Sequence, residues 1–163
     1  MKKTILSILA LMLAASVALA GDLPDRSLTP GAIASTDISE VCRPGYAKAH
    51  RHTPAALKER VYAAYGITRH EPGEYEVDHD VPLCLGGADE FENLWPQSYW
   101  TEPWNAHKKD RLEVYVLKLV CKDRTLSLED GQKIFLGNWI EAYKRFFGDD
   151  VNPGRAPRGR KPQ

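Results

Sequence analysis

The chain has 163 residues, 43% of them hydrophobic and 27% charged, with 22 Lys and Arg against 22 Asp and Glu. That length holds about one domain, and the composition is that of a folded globular chain. It excludes a disordered polymer, a collagen and a polytopic membrane protein, and three cysteines are too few for a four-cysteine zinc ribbon or a knottin-type scaffold.

Residues 1–20 (MKKTILSILALMLAASVALA) have the build of a signal peptide: a positive head at Lys2 and Lys3, an apolar run from Ile5 to Val17, and the small-x-small pattern Ala18-Leu19-Ala20. Cleavage is expected after Ala20, giving a secreted or periplasmic protein with no membrane span left in the mature chain. A lipoprotein signal would need a Cys after the apolar run, and Gly21 stands there instead. Without this segment the chain keeps 20 bases against 22 acids, and the part before Arg155 keeps 16 against 22. Bulk charge therefore gives no support to a nucleic-acid partner, and any such partner must rest on a local site.

Residues 21–40 are polar and turn-rich and read as an irregular lead-in to a folded domain over 41–149. The first helix is predicted with Thr53 as its cap, Pro54 in the first position and Gly66 at its end, with Ala56, Val61, Ala64 and Tyr65 facing inward. Tyr75 to Leu85 reads as a strand interrupted by Pro82, Gly86-Gly87 as a turn, and Phe91 to Pro96 as a second extended piece. A helix is predicted from Pro103 to Val120, where Leu112, Tyr115, Val116, Leu119 and Val120 recur at three- and four-residue spacing. A last helix is predicted from the Ser127/Asp130 capping box to Gly148. The tail 150–163 is basic and rich in Pro and Gly, and is expected to be disordered.

Outside the cytosol three cysteines leave one disulfide and one thiol, with three pairings open. Cys84 lies in the apolar run Val81-Pro82-Leu83-Cys84-Leu85, where a thiol serves as a small hydrophobe. Cys42–Cys121 is the favoured pair. In the chain-entropy model a bridge closing a loop of that length stabilises by about 4–5 kcal/mol.

The chemistry concentrates in residues 76–113, EVDHDVPLCLGGADEFENLWPQSYWTEPWNAHKKDRLE. Asp78-His79 ends a strand, Gly86-Gly87 turns, Asn93 returns on a second strand, and a helix opens with Asn105 and Lys108. A hairpin with a helix packed across it can bring the Asp78 carboxylate and the Asn105 amide to one cation. His79 points to the other strand face, because side chains alternate.

In these elements the segment resembles the HNH, or ββα-metal, endonuclease family: Asp78-His79, Pro82, Gly86-Gly87, Asn93-Leu94, and Asn105 followed by Lys108. It is particularly similar to an exported subgroup with DH-x-x-PL-x-LGG, then NLWPQ, then KD-x-LE, the last matched by Lys109-Asp110-Arg111-Leu112-Glu113. A lone Asp-His pair would be weak evidence, whereas several elements in order at family spacing are specific. The resemblance implies an α+β fold in which a ββα-metal hairpin–helix unit is packed among additional α-helices. It implies an exported, metal-dependent endonuclease, with DNA as the expected substrate; the absence of a basic body and of a sequence-reading module adds the expectation of little base specificity, and a monomer is taken as the default state.

The roles that the resemblance implies follow the needs of phosphodiester hydrolysis, a nucleophilic water and neutralised phosphate charge. His79 would be the general base, since its ordinary pKa is near neutrality. Asn93 would tie the strands so that His79 is held. Asp78 and Asn105 would hold one divalent cation, and Lys108, Lys109 and Arg51 would contact substrate. The chain departs from the family pattern at the third position, where His107 is an alternative ligand. Asn105 gives an oxygen site suited to Mg2+, and His107 would favour Zn2+ or Ni2+, with Mn2+ a further candidate. Each residue also has a plain reading: Asn105 as a helix cap, the two lysines as a solvated helix face, and Arg51, His52 and His70 as surface charges. Trp95, Trp100 and Trp104 are base-stacking candidates, though packing is the commoner use. The rival functions are an inactive nucleic-acid-binding or structural protein on the same scaffold, and a hydrolase of another phosphodiester.

Overall fold

The computed structural model describes residues 22–148; the signal peptide expected over 1–20 and the tail expected over 150–163 lie outside them. The architecture is α+β. Within the described residues, six α-helices surround one two-stranded antiparallel sheet. In chain order these are α1 (Ile38–Val41), α2 (Tyr46–His50), α3 (Ala55–Ala64), β1 (Tyr75–His79), β2 (Leu94–Ser98), α4 (Ala106–Leu117), α5 (Leu128–Leu136) and α6 (Trp139–Phe147). None of the described helices is long and apolar enough to cross a membrane.

The hairpin pairs Tyr75 with Ser98, Val77 with Pro96 and His79 with Leu94. The strand predicted as far as Leu85 stops at His79. Pro82 has no N–H to donate, and the chain instead tightens into a 3₁₀ turn at Leu83–Leu85. Gly86 and Gly87 follow for steric reasons. Gly86 has φ +82°, and a Cβ there would lie 2.3 Å from the Ser35 carbonyl oxygen. A Cβ on Gly87 would lie 1.8 Å from the Val81 oxygen. The extended piece predicted at Phe91 opens as a 3₁₀ turn, and the strand begins at Leu94.

Helix starts differ from the prediction where side chains had other work. Thr53 does not cap α3; Pro54 holds the cap position, and the Thr53 hydroxyl donates to Asp89. In α3, Ala56 is exposed while Tyr62 joins Val61 and Tyr65 in the interior. α4 starts at Ala106, three residues after the predicted Pro103, because Asn105 caps it by accepting the Lys108 N–H at 3.2 Å. It ends in a π-helical turn, Lys118–Lys122. The single last helix that was predicted is two. Gly137 closes α5, and the Asn138 side chain accepts the Ile140 and Glu141 N–H groups to start α6. The lead-in, expected to be irregular to residue 40, already turns helical at Ile38 under an Asp37 cap.

Two apolar clusters form the core. One packs Leu112, Val116, Phe135, Trp139 and Tyr143 between α4, α5 and α6, and the other packs Val61, Tyr65, Val77, Leu94 and Trp95 between α3 and the hairpin. The lead-in straps across the molecule. Arg26 bonds Asp80 and reaches the carbonyls of Phe135 at 3.0 Å and Gly137 at 2.9 Å, and Ala34 and Ser35 donate to Gly86. These bonds hold the loop after β1 against α5.

Cys42 and Cys121 form the disulfide, Cα atoms 5.3 Å apart and 79 residues apart in sequence. It ties the end of α1 to the π-helical turn. Cys84 stays a thiol, half-buried beside the core, and burial pushes its pKa up to about 12. Replacing both bridged cysteines by serine should lower the unfolding free energy by about 2–4 kcal/mol, less than the chain-entropy figure because a reduced denatured chain is not a random coil. Urea denaturation with and without the bridge measures it.

Candidate active site

The expected pair sits at the last two positions of β1, where strand alternation sends the side chains apart. Asp78 turns toward α4: its Oδ2 accepts the Lys109 Nζ at 2.6 Å and its Oδ1 accepts the His79 N–H at 2.7 Å. His79 turns toward the loop after Gly86-Gly87, with its Nε2 2.7 Å from Asp89 Oδ1. The imidazole is buried, its side chain 2% exposed. Burial lowers its pKa, and the hydrogen bond and charges of Asp89 and Asp78 only partly offset this. His79 is therefore neutral at physiological pH, the form that can take up a proton.

Asn93 is fully buried and saturated. Its Oδ1 accepts the Val81 N–H at 2.9 Å and the Ala32 N–H at 3.2 Å, and its Nδ2 donates to the Val81 and Ala88 carbonyls at 2.9 and 2.8 Å. One side chain thus pins the two sides of the loop that follows His79 and fastens the lead-in onto it. Such a saturated buried amide rigidifies its surroundings.

The two lysines lie elsewhere than expected. Both were read as phosphate contacts, and both are inside the protein, Lys108 1% and Lys109 0% exposed. The reason is helical spacing: residues 105, 108, 109 and 112 share one face of α4, and that face is the one Leu112 carries into the core. Lys109 donates at 2.6 Å to Asp78 Oδ2, to the His79 carbonyl and to Glu113 Oε1, with its ammonium 5.5 Å from the centre of the Phe135 ring. Burial disfavours this cation, but Asp78 and Glu113 outweigh it and raise its pKa. The Lys108 ammonium lies 5.2 Å from the centre of the Trp104 ring. Arg51 is exposed, and its charge acts on both His79 and Asp110. His107 is half-buried, its ring 5.3 Å from that of Tyr99. Of the tryptophans, Trp95 and Trp104 are packed in the core and Trp100 is exposed.

Several residues of this neighbourhood were not singled out in the sequence. Asp89 looked like part of an acidic turn. Glu76, two positions before Asp78 and so on the same strand face, accepts the Tyr99 hydroxyl at 2.7 Å through one oxygen, while its Oε1 is buried with no hydrogen-bond partner. Glu113 had a legible signal, its i to i+4 spacing from Lys109.

Around the Lys109 ammonium, the charge of Asp78 acts on Glu76, Asp110 and Glu113, and that of Asp110 acts on Glu76 and Glu113. Burial, followed by the charge of Asp78, pushes the carboxyls of Glu76 and Asp110 up, and burial pushes that of Glu113 up against the pull of Lys109. Surplus carboxylate and an orphaned Glu76 oxygen fit a hard divalent cation, which takes oxygen ligands. Among the described residues no three His, Cys, Asp or Glu side chains form a ready metal site. A cation here would therefore have few protein ligands and keep several waters, as Mg2+ does.

Compared with protein-family models, with curated proteins and with solved structures, the chain matches none.

Proposed function

We propose that this protein is an exported endonuclease of the HNH, or ββα-metal, kind, hydrolysing phosphodiester bonds of nucleic acid, DNA first, with little base specificity. In this reading β1, β2 and α4 are its ββα unit. The observation that carries it is the divergence at the strand end: a carboxylate held against α4 by Lys109, and next to it a buried neutral imidazole on the opposite face. The disulfide is consistent with export.

Hydrolysis forms one P–O bond from water and breaks another to the leaving oxygen. His79 takes the proton of the attacking water and later releases it to solvent or to the leaving group. Asn93 holds the loop behind His79, and Lys109 holds the Asp78 carboxylate in one orientation. Asp78 and Asn105, with His107 as the alternative to Asn105, would hold the divalent cation, which supplies charge neutralisation at the phosphate and the leaving oxygen when bound. Mg2+ suits the oxygen donors. Arg51, exposed and with its charge felt at His79, is a phosphate contact in reach of solvent, as His52 and His70 also are by exposure.

Lys109 also supports a second reading. Its ammonium already neutralises Asp78, as a metal would, and an inactive scaffold could retain such an internal cation. Incubating the purified chain, from Gly21 onward, with supercoiled plasmid, linear DNA and RNA in Mg2+ or in EDTA separates the two. Nicking in Mg2+ that EDTA abolishes is expected. Intact substrates with Mg2+, Mn2+, Zn2+ and Ni2+ alike would reject the enzyme, and cleavage that survives EDTA would reject the cation.

A further inference from the structure

We infer that Asp89 is a positioning residue for His79, fixing the imidazole ring and its proton through Nε2 so that Nδ1 is the atom presented to the reacting water. The inference rests on the endonuclease reading and adds to it a residue that the motif does not contain.

Asp89 Oδ1 is 2.7 Å from His79 Nε2, and both side chains are sheltered, with 10% and 2% exposure. The carboxylate is itself held. Thr53 Oγ1 donates to Oδ1 at 2.5 Å, and the His52 N–H donates to Oδ2. These two donors precede α3, whereas His79 ends β1, so Asp89 joins residues that lie more than twenty positions apart in sequence. Burial opposes ionisation of Asp89, but the bonds from Thr53, His52 and His79 outweigh it and its pKa falls below the ordinary value. An ionised carboxylate only accepts hydrogen bonds. The shared proton is therefore on Nε2, and the lone pair is on Nδ1.

The arrangement serves a general base in two ways. The ring cannot turn about χ2 without losing its bond to a carboxylate that two further donors hold in place. When Nδ1 takes the water's proton, the imidazolium that forms is buried, and a buried cation requires a nearby anion. Asp89 is that anion, in contact before the reaction begins. The same logic is known for carboxylates that orient a catalytic histidine in other folds.

Asp89→Asn tests this. Asparagine keeps the shape but has one acceptor oxygen for three donors, so His79 either meets an N–H2 group and changes tautomer or loses a neighbour's support. On plasmid in Mg2+ we expect kcat to fall by about 10²-fold or more with KM changed by no more than about threefold, and the thermal midpoint recorded alongside. Nitrogen-15 NMR of the unsubstituted protein, with His79 assigned by its loss in His79→Ala, should show a hydrogen-bonded Nε2–H that exchanges slowly, and this signal should vanish or move in Asp89→Asn. Retention of kcat within threefold, a loss confined to KM, or a parent spectrum with the proton on Nδ1 would overturn the inference. If the parent cleaves nothing, the endonuclease reading fails, and the NMR measurement alone decides whether Asp89 sets the tautomer and orientation of the ring.

Discussion

Replacing His79 by alanine is expected to lower the initial rate of plasmid nicking by about 10²–10⁴-fold, the usual contribution of a positioned general base. Divalent-cation affinity, measured by calorimetry, should stay close to that of the parent. The separation follows from strand geometry. His79 and Asp78 leave β1 on opposite faces, so truncating one side chain leaves the contacts of the other with Lys109 in place. The depressed pKa of His79 means that its neutral form dominates near pH 7, and no other imidazole takes part in this network of buried bonds. Asp78→Ala should do the converse, weakening the cation first and the rate as a consequence. An activity within threefold of the parent for His79→Ala would show that the proton goes elsewhere.

The second large effect is on stability. Lys109→Met keeps most of the side-chain volume but removes an ammonium that satisfies three oxygens at 2.6 Å. Asp78 and Glu113 are then left without a counter-charge in sheltered positions. Breaking a buried pair from one side costs about 3–5 kcal/mol, because the remaining charge is uncompensated. Urea denaturation should show this loss, and the double variant Lys109→Met/Glu113→Gln should recover part of it. The two sites share a contact, so their effects are not additive. A cost below 1 kcal/mol for the single variant would mean that the lysine is a solvated residue, as the helix pattern alone had allowed.

The role of Lys109 shows how far a linear reading of the site carries. The relative placement of Asp78, His79 and Asn93 was legible because a strand–turn–strand unit fixes it within a few residues: alternation separates the first two, and the Gly-Gly turn brings back the third. The Cys42–Cys121 pair was legible by a similar local argument, the apolar surroundings of Cys84. The lysines were misread because helical spacing says which residues share a face without saying which face is buried. In α4 the face bearing Asn105, Lys108 and Lys109 is the one that carries Leu112 into the core, and only the positions of α5 and α6 settle that.

Asp89 lies at the other limit. Nothing in Ala88-Asp89-Glu90 distinguishes it from any acidic turn. Its meaning comes from Thr53 and His52, which the approach to α3 delivers from far upstream, and the same delivery takes Thr53 away from the cap it was expected to make.

From its residues alone this chain determines where helices and strands form, a tight glycine turn and an Asp-His pair on opposite faces of a strand end, since each depends on chirality, pleat or local sterics. The fold decides which cations are buried, which carboxylate meets the imidazole and which helix ends are capped. Those outcomes depend on contacts between segments distant in sequence, where burial and pairing energies outweigh any local preference.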